Sequence, residues 1–177
     1  MSNKQALREL QQRLALRMQA AREQPQAASW LAVECAGLGL LFSLKQAAEI
    51  FTPVPLTPVP HSQAWLAGVA NLRGGLFTVV DLAVFLGLRD AGVARADAAA
   101  TRLVSLNPEL NINCALLVDR LLGLRGDEQL TAEPVPANAP ARPRFAGLRL
   151  RDASGQVWQQ IDLEALAKHE QFLRVVM

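Results

Sequence analysis

The sequence predicts a mainly β protein made of two similarly built β modules that follow an amphipathic N-terminal helix. Short apolar stretches alternate with polar residues at the two-residue period of strands, and glycine, proline and asparagine turn signals separate them. A weak internal echo repeats the same order of elements in each half: a proline-rich loop, a hairpin and a short helix opened by aspartate. Regularly spaced short strands of this kind build small barrels or sandwiches.

Residues 1–29 are predicted to form a helical extension that precedes the β modules at 30–177. Apolar residues recur at three- and four-residue steps over residues 4–23, at Leu7, Leu10, Leu14 and Met18, and Pro25 ends the pattern. Five basic residues against two acidic ones give this extension a charge of +3. Two alternatives fit its apolar stripe. It packs on the protein's own core or on a copy of itself, or it binds in the groove of a separate partner.

The first β module begins with a hairpin. Residues 31–35 and 38–44 alternate in polarity around a glycine-containing turn, and the stretch 44–51 fits either a helical turn or a third strand. Four prolines in residues 52–60 exclude a helix and a central strand, so this stretch is expected to be an extended connector.

The stretch 65–88 combines a hairpin with a capped helix. A strand over Leu66–Leu72, a turn over Arg73-Gly74-Gly75 and a strand over 76–80 lead to a helix opened by Asp81. The one charge in the turn, Arg73, is expected at the solvent-exposed tip, where a guanidinium is well placed to contact another protein. The alternative is that Arg73 pairs with a neighbouring acid such as Glu49 and only holds the tip.

The second module follows a polar loop at 89–100, where we place the boundary between the two halves. The predicted elements are a strand at 101–106, one long apolar strand at 112–122, a proline-rich loop at 131–144, a hairpin at 145–151 and 156–161, and a closing helix begun by Asp162.

Composition and motifs favour a binding protein without catalytic chemistry. The net charge is only +2 and the chain has no tyrosine, which disfavours nucleic acid as a partner. Cys35 and Cys114 lie in apolar runs without metal-ligand spacing, and the sequence has no phosphate-binding loop, dinucleotide fingerprint or nucleophile motif. We therefore expect no catalytic site, cofactor or metal. The chain also lacks a membrane span and a signal peptide, which predicts a cytoplasmic protein.

Two other function classes stay open at this stage. A small-barrel nucleic-acid module would need basic strand faces, for which the candidates are Arg142, Arg144, Arg149 and Arg151. A hydrolase would need residues that are dispersed in sequence and meet only in the fold.

The sequence closely resembles the chemotaxis coupling, or CheW-like, domain family from about Trp30 to Phe172. The resemblance is carried by Val59-Pro60, by the Gly-Val-Ala-Asn-Leu-Arg-Gly stretch at 68–74, by Val-Val-Asp-Leu at 79–82 and by Leu86-Gly87. Weaker matches are Ala48-Glu49-Ile50, Leu117-Val118-Asp119 and Ile161-Asp162-Leu163. The long segment before the first strand is similar to that of the PilI-type couplers of type IV pilus-dependent twitching motility, which leaves a flagellar or a pilus system open.

This resemblance implies two five-stranded SH3-like barrels around one hydrophobic core. It also implies a cytoplasmic adaptor in two-component signal transduction that joins the cytoplasmic tip of chemoreceptors to the regulatory domain of a CheA-type histidine kinase. Its membrane association would be indirect, through receptor arrays. The residues that the resemblance associates with these contacts are Glu49, Asn71, Leu72 and Arg73, together with Val118 in an apolar seam between the barrels.

Overall fold

A computed structural model of the protein describes residues 29–177, so the predicted helix at 4–23 lies outside the described residues. Eleven strands lie within this part of the chain: β1 Ser29–Cys35, β2 Leu38–Ser43, β3 Ala47–Phe51, β4 Leu66–Leu72, β5 Gly75–Asp81, β6 Arg102–Leu106, β7 Cys114–Val118, β8 Arg120–Gly126, β9 Leu130–Ala132, β10 Ala146–Asp152 and β11 Val157–Ile161. The helices are α1 Leu82–Phe85, α2 Leu163–Ala167 and α3 Glu170–Leu173, and two 3-10 turns cover Pro108–Leu110 and Asp127–Gln129.

The strands form two sheets, which confirms the predicted mainly β class. The six-stranded sheet has the order β8-β1-β2-β11-β10-β9 and the five-stranded sheet has the order β3-β6-β7-β5-β4. One sheet has the five strands expected of each unit, and the other has a sixth, because the three-residue β9 adds to β10 at its edge. Among residues 29–177, no helix has the length and apolar character needed to span a membrane.

Many strands are buried on both faces, and this divides the interior into three clusters. Leu31, Val33 and Cys35 of β1 point into a core that residues of both sheets share, whereas Ala32 points into a cluster on the other face of its sheet. In β7, Leu116 belongs to the shared core, and its neighbours belong to the inner cluster of the five-stranded sheet. Each fully buried leucine contributes about 1.5–3 kcal/mol to the free energy of unfolding, so the shared core holds the two sheets together.

The chain passes between the sheets twice, and here two predictions are wrong. It leaves the six-stranded sheet after β2 and returns to it after β7. The predicted single strand at 112–122 is therefore two strands in different sheets, separated by Asp119. Residues 89–100 connect α1 to β6 and do not separate the sheets, because β5 and β6 both belong to the five-stranded sheet.

The order of elements that repeats in the sequence is also repeated in the pairing of the strands. Hairpins β4–β5 and β10–β11 each contain a bulge near the start of their first strand, and an aspartate caps the helix after each hairpin. The second strand of each hairpin also pairs in parallel with a strand from elsewhere in the chain, β5 with β7 and β11 with β2. The two modules are thus related by structure as well as by order of elements.

Burial controls the chemistry of both cysteines. Removal from water raises the pKa of the Cys35 and Cys114 thiols to about 12, and the nearby Asp119 carboxylate adds to the effect at Cys35. Because the thiolate is the reactive form, we expect neither thiol to react with Ellman's reagent at neutral pH in the folded protein. Both thiols should react once the protein is unfolded in denaturant. Rapid labelling of either cysteine without denaturant would contradict the burial.

Candidate functional site

The tip of the β4–β5 hairpin is a two-residue turn formed by Arg73 and Gly74. Both residues have left-handed backbone conformations, with φ of 49° and 83°, as this type of turn requires. The side-chain oxygen of Asn71 accepts a 2.8 Å hydrogen bond from the Gly74 N–H and so closes the turn. A left-handed backbone at a residue other than glycine costs on the order of 1–2 kcal/mol. The sequence therefore keeps an arginine at a position where glycine or asparagine is favoured.

Arg73 lies over the edge of the five-stranded sheet at β3. Its Nη1 is 2.9 Å from Oε2 of Glu49, and the side chains are 76% and 47% exposed. The guanidinium also lies 5.9 Å from the centre of the Phe51 ring, on the same strand. An ion pair this exposed contributes only about 0–1 kcal/mol to stability. The predicted pairing of Arg73 with Glu49 is present, and the pair leaves both groups accessible to a partner.

Two large apolar side chains accompany this pair. Ile50 follows Glu49 in β3, Leu76 follows the turn in β5, and both are exposed. We call Glu49, Ile50, Arg73 and Leu76 the hairpin-tip surface. Arginine is enriched at protein-binding surfaces, and the exposed aliphatic groups give a partner apolar area to cover.

The structure corrects the predicted contact roles of Leu72 and Val118. Their side chains are 4% and 0% exposed, in the inner cluster of the five-stranded sheet and in the shared core respectively. A partner cannot contact either side chain without displacing the core, so both residues support the fold. The predicted site residues that do reach the surface are Glu49, Asn71 and Arg73.

A second charged cluster was not predicted from the sequence. Asp81, the N-cap of α1, and Asp119, between β7 and β8, are joined by the guanidinium groups of Arg89 and Arg95. Arg89 donates to Asp119 at 2.9 and 3.0 Å and to Asp81 at 3.1 Å, while Nε of Arg95 donates to Asp119 at 3.1 Å. We call these four residues the crossover clamp, because they fix the second passage of the chain between the sheets.

Asp119 is the centre of the crossover clamp. It also accepts a 2.6 Å hydrogen bond from the backbone N–H of Ala36 in the β1–β2 turn. Burial by itself raises the pKa of Asp119, but the Ala36 N–H and the arginines outweigh this effect and hold its pKa below the ordinary value. The clamp therefore connects the loop at 89–100, the start of α1 and the turn of the first hairpin.

The pairing of the strands explains why the two carboxylates meet. Because β5 and β7 run in parallel, with Asp81 opposite Leu117, their carboxyl ends bring Asp81 and Asp119 to one edge of the sheet. The sequence signal was an aspartate after each of two apolar strands, together with two arginines in a loop that resembled a simple linker. The parallel pairing that joins these residues is a long-range contact and cannot be read from local patterns.

Two other kinds of site find little support among residues 29–177. In this part of the chain, no group of three His, Cys, Asp or Glu side chains is arranged to hold a metal ion. Arg149 and Arg151, two of the candidates for nucleic-acid contacts, both form ion pairs with Glu133. These pairs reduce the positive charge that the two arginines offer to a phosphate backbone.

Comparisons with known proteins agree with this fold. The model of the CheW-like domain family matches residues 29–171. Protein PilI of Pseudomonas aeruginosa is 27% identical over 167 residues, which cover 93% of this chain and 89% of that protein. Chemotaxis protein CheW of Thermotoga maritima is 31% identical over 85 residues, covering 48% of this chain and 52% of that protein. The crystal structure of the scaffolding protein TtCheW from Thermoanaerobacter tengcongensis has a TM-score of 0.64 at 19% identity, covering 80% of this chain and 88% of that one.

Proposed function

The chain belongs to the CheW-like domain family, and on this premise we propose that it is a non-enzymatic adaptor that couples chemoreceptors to a CheA-type histidine kinase. In this proposal it contributes no chemistry of its own and transmits the signal through protein contacts. TtCheW, which has the same fold, is a scaffolding protein. The adaptor would act on the cytoplasmic side of the membrane, where the receptor tips and the kinase meet.

The observation that carries the proposal is the hairpin-tip surface. Arg73 is held in an unfavourable backbone conformation by a turn that Asn71 closes, and its side chain remains mostly exposed. Strained positions of this kind persist where function requires them. We assign the hairpin-tip surface to the contact with the regulatory domain of the kinase.

A pilus system is the favoured setting. The similarity to Protein PilI covers 93% of this chain, so it includes part of the segment before residue 29. The match to the Thermotoga maritima CheW covers only 48% of the chain. This difference favours a PilI-type coupler of twitching motility over a flagellar coupler.

The proposal is tested by measuring binding to purified partners with isothermal titration calorimetry. The partners are the regulatory domain of a pilus-type CheA kinase and the cytoplasmic tip of a pilus-type chemoreceptor, each alone and then together. We expect binding to each partner and a complex of all three. Binding to neither partner would contradict the adaptor function, and tighter binding to flagellar partners from the same cell would contradict the pilus assignment.

A further inference from the structure

An open apolar groove lies on the six-stranded half of the molecule, and none of the residues that line it belongs to the hairpin-tip surface or the crossover clamp. Its volume is about 580 Å³, and its walls are the proline-rich loop from Val135 to Arg142 and the start of β10. Val135 and Leu148 both line it and are 61% and 53% exposed. Two large aliphatic side chains that are mostly exposed in one groove mark a site that another molecule can cover.

The bulge in β10 holds Leu148 in this position. The register between β10 and β11 shifts between Ala146 and Arg149, so the intervening residues do not pair with β11. Glutamine side chains satisfy the backbone instead: the Leu148 N–H donates to Gln160 at 3.2 Å, and Gln159 donates to the Gly147 carbonyl at 3.0 Å. A bulge fixed in this way presents Leu148 to solvent without further rearrangement.

The internal repeat allows the groove to be compared with the corresponding region of the other half. Thr57-Pro58-Val59-Pro60 and Glu133-Pro134-Val135-Pro136 are corresponding segments, because the N–H of the first residue of each donates at 2.8 Å to the first strand of its hairpin, at Val69 and Arg149.

The chain after the first of these segments pairs through its backbone with residues 175–177 of the same protein. Gln63 donates at 2.8 Å to the carbonyl of Val175, and Met177 donates at 3.0 Å to the carbonyl of His61. The pairing segment has the apolar sequence Val175-Val176-Met177, and its last two side chains are 60% and 80% exposed, so the contact is made by the backbone. Within residues 29–177, no segment pairs in this way with the chain after Pro136, where the groove is open.

The charge around the groove defines the partner further. Of the four arginines in residues 133–151, Arg149 and Arg151 pair with Glu133, whereas Arg142 and Arg144 form no ion pair with the described residues. Arg142 is the one charged residue among those that line the groove, all of which lie in the described part of the chain. A partner segment with acidic residues beside its apolar ones is therefore complementary.

We propose that this groove binds an extended segment of a partner protein in which apolar side chains are flanked by acidic ones. The apolar side chains cover Val135 and Leu148, and the acidic ones lie beside Arg142. The site is on the opposite module from the hairpin-tip surface, so it does not depend on the assignment of that surface to a kinase.

The test uses the full chain labelled with ¹⁵N and two capped peptides. The first peptide, Asp-Val-Val-Met-Asp, places acidic residues around the apolar sequence that pairs with residues 61–63 of the other half, and the second, Lys-Val-Val-Met-Lys, reverses the charge. We expect the acidic peptide to shift the amide signals of residues 135–148 in a saturable manner. We expect the lysine peptide to bind at least about ten-fold more weakly.

Matched variants show whether the peptide binds in the groove. Leu148→Glu should abolish these shifts, whereas Leu124→Glu, which changes another exposed leucine that does not line the groove, should leave them unchanged. Three results would overturn the proposal: no shifts at the groove, equal binding of both peptides, or shifts confined to residues 61–63 because the peptide displaces the chain's own strand. Equivalent shifts with oligo-dT at lower concentration would overturn it in favour of nucleic acid.

Discussion

Replacing Asp119 by alanine is expected to lower the free energy of unfolding by about 3 kcal/mol, since removing one partner from a buried ion-pair cluster leaves charges without compensation. The Arg89 side chain is only 9% exposed and would lose two of its hydrogen bonds. The backbone N–H of Ala36 would lose its acceptor as well. Urea unfolding followed by circular dichroism at neutral pH measures the change.

The matched control is Asp90→Ala, in the loop at 89–100 that carries both arginines of the crossover clamp. Asp90 is exposed and forms no ion pair with the described residues, so its replacement should change the free energy of unfolding by no more than about 0.5 kcal/mol. If Asp119→Ala costs no more than this control, the clamp does not stabilise the connection between the sheets.

The crossover clamp also predicts a dependence of stability on pH. The pKa of Asp119 is lower in the folded protein than in the unfolded chain, where it is about 3.9. Its contribution is therefore fully present above that pH and is lost as the pH falls through the lower folded value. Between the two values, the free energy of unfolding of the Asp119→Ala variant should depend less on pH than that of the wild type.

The local pattern of the sequence was sufficient to predict the hairpins. Strand alternation and turn residues act over a few positions, so β1–β2, β4–β5 and β10–β11 all lie where the sequence predicts them. The same pattern failed at 112–122, because β7 is buried on both faces and the edge strand β8 continues its apolar run. Periodicity cannot show that the chain changes sheet at Asp119.

The two passages between the sheets show why long-range pairing was missed. After β2, the side chain of Gln46 donates to Asp162 at 3.0 Å and accepts from the Leu163 N–H at 2.9 Å, which fixes the start of α2. After β7, the second passage carries Asp119, which is acidic like the cap residue Asp81. Two like charges cannot bind each other directly, so the second passage needs Arg89 and Arg95 between them. These partners are far apart in sequence, and a single sequence contains no local signal for them.

The candidate site was predicted only where it depends on local geometry. The turn signal and the family resemblance placed Arg73 at an exposed tip, and the structure contains both this tip and the pairing with Glu49 that the sequence left as an alternative. Leu72 and Val118 were assigned by motif position alone. Strand alternation turns both side chains inward, which the motif does not reveal.

Arg73→Glu is expected to weaken binding of the kinase regulatory domain by about 30-fold or more, because an arginine at the centre of an interface contributes about 2 kcal/mol. The same change should leave the thermal unfolding midpoint almost unchanged, since the pair with Glu49 is exposed and worth at most about 1 kcal/mol. Calorimetric titration and thermal unfolding on the same samples measure the two effects.

The double variant Arg73→Glu with Glu49→Arg separates the two roles of the arginine. It restores an ion pair between β3 and the turn, with the charges exchanged, and so preserves any structural function of the pair. If the kinase binds the guanidinium at position 73 directly, exchanging the two charges leaves binding weak although the ion pair is present. Recovery of binding in the double variant would show that the pair only holds the hairpin tip. Arg73→Asn provides a further control, because asparagine accepts the left-handed conformation of the turn: it should fold at least as stably as the wild type and still bind the kinase weakly.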